Sequence, residues 1–155
     1  MNQGKLHAIN VSSGGVPKQP REACALSFAG LEGDWQTDRE HHGGPDRAVS
    51  LYSLEVIEKL RAEGHPISPG STGENLTVSG MDWTAIKPGD RLAVGGAELQ
   101  VMSYAAPCNN INASFSDARS VRISQKVHPG WSRLYARVLK EGEARLGDSV
   151  RVIGP

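Results

Sequence analysis

Cys108 lies in the segment SYAAPCNNINASF (residues 103–115), shortly after a stretch that is predicted to be a strand. Pro107 restricts the backbone before the thiol, and two asparagines make the following turn polar. Loops at strand ends commonly display reactive groups. A thiolate there is able to act as a nucleophile, to carry a persulfide, or to bind a soft metal such as molybdenum or zinc. The alternative is an ordinary loop thiol.

The other cysteine, Cys24, lies between two alanines in an apolar segment. This setting predicts a small, buried, unreactive side chain. The two cysteines are far apart in the sequence, and both are expected to be thiols in a reducing compartment.

Two adjacent histidines, His41 and His42, raise the question of a metal site. Neighbouring side chains on a strand point to opposite faces, and helical zinc pairs are spaced four residues apart. A structural zinc site completed by Asp34, Asp38 or Cys108 would therefore need an irregular loop, and the recognisable spacing of such sites is missing.

The same segment is also able to form the wall of a ligand pocket. Gly43 and Gly44 would let the backbone approach a ligand and expose N–H groups, while His42 or Arg47 would meet an anion. A glycine turn with solvated histidines remains the alternative.

A second glycine-rich loop has the sequence SPGSTGENLTVSG (residues 68–80). Such a loop is able to hold a phosphate or another oxyanion, but it lacks the Gly-Lys-Ser/Thr of a nucleotide-binding P-loop. The residues expected to line a pocket here are Thr72, Gly73, Glu74 and Asn75.

The bulk properties limit what these residues are expected to do. A length of 155 residues predicts a single domain over residues 1–155, and 17 basic and 17 acidic residues give a net charge of zero. This balance does not favour binding to nucleic acid or to an anionic membrane surface. Without a long apolar run or a signal-like start, the cytoplasm is the expected location.

The elements that must position these residues are mostly short strands. Alternating patterns predict strands at residues 5–12, 23–28 and 46–53, and a hairpin of residues 90–94 and 97–103 around Gly95-Gly96. Residues 53–64 predict one helix, with Ser53 as its N-cap and Gly64 as its end. These elements predict a mostly-β, barrel-like fold with one or two short helices.

Taken in order, the motifs resemble those of the MOSC domain family, the molybdenum cofactor sulfurase C-terminal domain, in its stand-alone bacterial form. The resemblance rests on HHGGPDRAV, PGSTGENLTVSG, KPGDRLAVGGAELQV and Pro107-Cys108, and on the closing segment YARVLKEGEARLGDSVRVI. It covers residues 33–153. The resemblance implies that Cys108 ligates the molybdenum or carries sulfur as a persulfide.

The resemblance also implies that the molybdenum cofactor (molybdopterin) binds, and that N-hydroxylated compounds are reduced with it. The pyridoxal-phosphate domain of the large sulfurases and the iron–sulfur domain of some reductases are not in this sequence. A partner, such as a reductase or a cysteine desulfurase, would therefore supply electrons or sulfur. The alternatives are a sulfur-delivery module without bound metal, and a small-ligand or partner-binding module without chemistry.

Overall fold

A computed structural model of the chain describes residues 2–34 and 44–155. One α-helix, α1 (Leu54–Ala62), lies within this part of the chain, together with four 3₁₀ turns at Pro45–Arg47, Trp83–Ala85, Asn109–Ser114 and Ser120–Ile123. The strands are β1 (Gln3–Val11), β2 (Gln19–Arg21), β3 (Ala23–Ser27), β4 (Gly30–Leu31), β5 (Val49–Ser53), β6 (Leu76–Ser79), β7 (Arg91–Val94), β8 (Ala97–Ala105), β9 (Arg133–Lys140), β10 (Gly142–Arg145) and β11 (Ser149–Gly154).

Seven of these strands close into a barrel in the order β11-β7-β8-β9-β5-β6-β1, because β1 pairs with β11 and so joins the two ends. Only β5 and β6 pair in parallel within this ring, and α1 forms the crossover between them. A smaller sheet of β10, β3 and β4 lies beside the barrel. The predicted mostly-β, barrel-like fold is confirmed.

Two clusters of buried apolar side chains stabilise this architecture. The first fills the barrel and includes Leu51, Leu76 and Leu134, all at most 1% exposed. The second lies outside the barrel, where α1 contributes Val56, Ile57 and Leu60. Its other members are Tyr52, Ile67, Ile111, Phe115 and Ile123.

The predicted helix and hairpin are both present. The Ser53 hydroxyl accepts the backbone N–H of Val56 at 3.3 Å, which is the contact expected of an N-cap. Gly95 has a φ of 54°, and Val94 pairs with Ala97 across the two-residue turn.

Some predicted boundaries shift for local reasons. Residues 46–48 do not extend β5, because Gly44 with φ 93° and the following proline start a 3₁₀ turn. Along β1, a register shift between Leu6 and Ala8 changes the alternation, so Leu6 and Ile9 are fully buried while Ala8 is half-buried.

Candidate functional site

One half of the barrel wall carries polar side chains on its outer surface. Leucines and valines of β1, β5, β6 and β9 point inward, so the alternate residues of these strands point outward. We call this surface the outer polar face. It consists of Asn10 on β1, Ser50 on β5, Asn75 and Thr77 at β6, and Arg133 and Tyr135 on β9.

Asn75 connects the strands of the outer polar face. Its side-chain oxygen accepts the Ser50 N–H at 3.0 Å, and its amide nitrogen donates to the Asn10 carbonyl at 3.2 Å and to Asp34 at 2.9 Å. The Asn75 backbone also donates to the Ser50 carbonyl at 2.9 Å. Because Asn75 is completely buried, these contacts fix the position of the loop that precedes β6.

Asp34 and Lys18 form a buried ion pair at the edge of this network. Lys18 Nζ lies 2.8 Å from Asp34 Oδ2, and the two side chains are 5% and 4% exposed. The other Asp34 oxygen accepts the Ser12 N–H at 3.0 Å, and the Lys18 backbone donates to the Gly70 carbonyl at 2.9 Å. The ion pair thus connects residues 12–18 to residues 69–75, which we call the PGSTGEN loop.

The carboxyl group of Glu74 is completely buried within its own loop. The Thr72 hydroxyl donates to one carboxyl oxygen and the Thr77 hydroxyl to the other, each at 2.8 Å. Burial raises the pKa of Glu74, and these hydroxyl donors offset only part of that effect. Both Thr72 and Glu74 therefore face the interior of the loop.

Arg133 bridges the PGSTGEN loop and the loop that contains Pro107 and Cys108. Its Nη1 donates to the Thr72 carbonyl at 2.8 Å and its Nη2 to the Ala106 carbonyl at 3.3 Å. The Arg133 Nε is buried and has no hydrogen-bond partner among the described residues. A single side chain therefore joins the two loops that sequence analysis selected, which are more than 30 residues apart.

Cys108 is partly exposed and immediately precedes the 3₁₀ turn Asn109–Ser114. Its carbonyl accepts the Ser120 hydroxyl at 3.2 Å, and Ser114 donates to Ser71 of the PGSTGEN loop at 2.8 Å. These contacts hold the backbone around the thiol. Cys24 differs, since its thiol is buried, donates to the Glu32 carbonyl at 3.3 Å, and has its pKa raised by burial.

Gly44 immediately precedes the 3₁₀ turn Pro45–Arg47 before β5, and Arg47 ends that turn. The Arg47 guanidinium lies over the Tyr135 ring, 5.5 Å from its centroid. Gly44 has a φ of 93°, and a side chain added there would meet no atom of the described residues within 4 Å. The positive φ is a conformation that favours glycine at this position.

The structure places most of the predicted site residues around the outer polar face. His42 and Gly43 lie outside the described residues. Sequence reasoning missed Arg133, Lys18 and Asn10. A signal for Arg133 existed, because Leu134, Ala136 and Val138 fill the barrel and leave Arg133 and Tyr135 on the opposite surface.

Within residues 2–34 and 44–155, no group of three or more histidine, cysteine or carboxylate side chains could hold a metal ion. In that same part of the chain, no helix is both long and apolar enough to cross a membrane.

A closed barrel with one buried polar outer face and a cysteine loop beside it defines the class of protein. The family model described as the MOSC domain matches residues 38–151. The chain therefore belongs to the MOSC domain family. This family is associated in general with binding of the molybdenum cofactor.

Three relatives show this similarity in sequence. YflK of Bacillus subtilis (strain 168), an uncharacterized protein, is 32% identical over 90% of this chain and 63% of its own length. YiiM of Escherichia coli (strain K12) is 31% identical over 68% of this chain and 50% of its own length. A protein of Gibberella moniliformis named Reductase is 30% identical over 82% of this chain. The chain spans only 23% of that reductase.

Solved structures share the fold. The crystal structure of YuaD from Bacillus subtilis superposes with a TM-score of 0.73 at 22% identity, covering 97% of this chain and 95% of YuaD. YiiM from Geobacillus stearothermophilus gives a TM-score of 0.72 at 24% identity, covering 97% of this chain and 75% of YiiM.

The described residues fit a molybdenum cofactor in three respects. Cys108 offers a soft sulfur donor of the kind that molybdenum accepts. The buried Nε–H of Arg133 is an unused donor for an anionic group. None of the described residues lies within 4 Å of a side-chain position at Gly44, so none of them blocks a ligand there.

Proposed function

We propose that this chain binds the molybdenum cofactor beside the outer polar face, with Cys108 as the protein's ligand to the metal. The observation that carries the proposal is that Arg133 joins the PGSTGEN loop to the loop of Cys108. This contact supports a shared site, because the molybdenum cofactor would need a thiol for its metal and a loop that can bind its phosphate.

The roles of the individual residues follow from their surroundings. Cys108 would hold the metal, because its partly exposed thiol makes no hydrogen bond within the described part of the chain. Gly44 would present backbone to the ligand, and Arg47 would place its guanidinium near Tyr135. Gly73, whose N–H donates to the Gly70 carbonyl and whose Cα faces Val16, would shape the loop. When bound, the cofactor supplies the redox chemistry for reducing N-hydroxylated compounds.

The loop beside this site would be held in shape by three buried side chains, those of Thr72, Glu74 and Asn75. Their side chains are completely buried and bond to one another or to neighbouring strands. We expect them to fix the shape of the loop, leaving its exposed backbone to meet the ligand. His42 and Gly43 would complete the wall next to Gly44.

A second use of the same thiol is the transport of sulfur. Its partial exposure favours this use, because a donor protein must reach it. The Cys108 thiolate would attack the terminal sulfur of a cysteine desulfurase persulfide. A new S–S bond would form at Cys108, the donor's S–S bond would break, and the donor cysteine would leave as a thiolate.

Either use requires a partner that supplies electrons or sulfur. It also requires a free Cys108 thiol, which a reducing compartment maintains, so the proposal places the protein in the cytoplasm.

The test is the molybdenum content per chain of protein purified from a host that makes the cofactor. We expect bound molybdenum in the wild type and in Cys24→Ala, and its loss in Cys108→Ala. Cys24→Ala is the matched control, because it removes the buried thiol. Equal molybdenum in all three proteins, or none in the wild type, would refute metal binding through Cys108.

The sulfur-carrier alternative is tested by incubating the same proteins with a cysteine desulfurase and cysteine. Addition of one sulfur atom to Cys108, seen by mass spectrometry in a protein without molybdenum, would favour it. If neither metal nor sulfur is found, the remaining hypothesis is a module that binds a small ligand or a partner without metal or sulfur chemistry.

A further inference from the structure

Arg133 carries a buried positive charge that meets only neutral oxygen atoms. The residue is 5% exposed, and its two terminal nitrogens donate to the carbonyls of Thr72 and Ala106. Among the described residues, no carboxylate lies within ion-pair distance of its guanidinium. Both oxygens of the buried Glu74 carboxyl group are already bonded to threonine hydroxyls.

The Nε–H of the same guanidinium is an unused donor. It is buried, and no group in residues 2–34 or 44–155 accepts a hydrogen bond from it, a state that is rare and costly in folded proteins. Nε shares one edge of the planar group with Nη2, the atom that contacts the Ala106 carbonyl. This edge is the one with which arginine forms two parallel hydrogen bonds to carboxylate, phosphate and other oxyanions.

A second guanidinium, that of Arg47, lies near this surface. Tyr135 lies two residues after Arg133, so both side chains point to the same side of β9. The Arg47 guanidinium lies over the Tyr135 ring. Arg47 therefore lies beside the outer polar face, on the side of β9 that also carries Arg133.

We propose that Arg133 is an anion-binding residue of this site, and that its unpaired Nε–H donates to an oxyanion group of the ligand. The group is either the phosphate ester of the bound cofactor or an oxyanion of a free substrate. The identity of the ligand rests on the proposed function. Anion binding by Arg133 is a separate property that inorganic phosphate reveals without cofactor.

The direct test uses the wild-type chain, free of cofactor and labelled with ¹⁵N-arginine. Inorganic phosphate is titrated while the Nε–H signals are followed by NMR. We expect the Arg133 signal, assigned by its absence in Arg133→Lys, to shift in a saturable way. Because no residue of the titrated protein is changed, a folding defect in a variant does not obscure this result.

Variants then measure how much the Nε and Nη2 edge of Arg133 contributes to phosphate affinity. We expect Arg133→Lys, which keeps the charge but lacks Nε–H, to bind phosphate at least about tenfold more weakly. Arg133→Gln should bind more weakly still. The control is Arg137→Gln, which removes an exposed charge from the same strand, where the Arg137 guanidinium donates to the Gln100 side-chain oxygen. It should bind phosphate as the wild type does.

Two outcomes would overturn the proposal. One is an Arg133 Nε–H signal that does not move with phosphate. The other is equal phosphate affinity in the wild type, Arg133→Lys and Arg133→Gln, including the case in which Arg47→Gln alone abolishes binding.

The same titration on cofactor-loaded protein identifies the source of the anion. Loss of the phosphate response on loading assigns Arg133 to the cofactor's phosphate, and a retained response assigns it to a free oxyanion. The two proposals fail separately. Molybdenum that is indifferent to Cys108→Ala refutes the metal ligand, while a shifting Arg133 signal in that same variant preserves the anion site.

Discussion

The inside of the barrel and the outer polar face are both buried, but different interactions hold them. Inside, leucines and valines pack without polar partners. On the outer polar face, Asn75 alone contacts three other segments of the chain through its side chain. The interior is stabilised by area removed from water, whereas the outer polar face depends on donors and acceptors that must all be matched.

This difference bears on where function can arise. An apolar interior of closed strands is tightly packed and offers no reactive group. The outer polar face instead carries a guanidinium with an unused donor, and a buried ion pair and a buried carboxyl group lie next to it. An unmatched buried donor is costly for folding, so the Arg133 Nε–H marks the surface at which a ligand is expected.

The strongest challenge to this comparison is to remove one member of the buried ion pair. Lys18→Met leaves Asp34 buried with only the Asn75 and Ser12 donors. We expect a loss of about 3–5 kcal/mol in the free energy of unfolding, measured with urea. Lys5→Met, an exposed position on β1, is the control and should stay within about 0.5 kcal/mol of the wild type.

A second substitution separates charge from packing. Adding Asp34→Asn to Lys18→Met removes the uncompensated carboxylate, so part of the lost stability should return. A double variant that is no more stable than Lys18→Met would show that the outer polar face is held by packing, as the interior is.

The next largest effect is expected inside the barrel. Leu51 is completely buried, and Leu51→Ala should destabilise the protein by about 3 kcal/mol through lost burial and the cavity left behind. Leu54→Ala makes the same change three residues later, where the side chain is half-buried at the start of α1. It should cost about 1 kcal/mol. Equal losses in the two variants would contradict the assignment of Leu51 to a tightly packed interior.

The interior could be predicted from sequence because its signals are local. The hairpin follows from two glycines between alternating strands, and α1 from a serine cap and an apolar stripe. Closure of the barrel could not be derived in this way. It depends on β1 pairing with β11, strands that are more than 130 residues apart. The many short strands predicted a barrel-like fold, but no local signal identified the pair that closes it.

The outer polar face was predictable only in part. Cys108 and the PGSTGEN loop stand out by residue type, but nothing local shows that Arg133 joins them. Lys18 and Asp34 are ordinary charges in the sequence, and their pairing becomes visible only when two loops meet. Residue types in the sequence identified the candidate residues. The fold determined which of them can contact a ligand and which are buried and hold the loops in position.

The smallest expected effect concerns the ionisation state of the Glu74 carboxyl group. Because burial raises its folded-state pKa above that of the unfolded chain, the folded protein retains a proton that the unfolded chain releases. The stabilisation is complete below the unfolded pKa, about 4.3, and is lost as the pH rises through the folded pKa. In Glu74→Gln this loss is absent, so the variant should gain on the wild type as the pH rises, by at most about 1.4 kcal/mol per pH unit.

The measurement is the difference in unfolding free energy between Glu74→Gln and the wild type, followed from acid to neutral pH. Glu58→Gln, on the exposed side of α1, corrects for the loss of one carboxylate from the chain. A difference that instead favours the wild type as the pH rises would mean that the hydroxyls of Thr72 and Thr77 outweigh burial and hold Glu74 ionised. Glu74 would then contribute a fixed negative charge to the outer polar face, and the positive charge of Arg133 would need no anion from outside the protein.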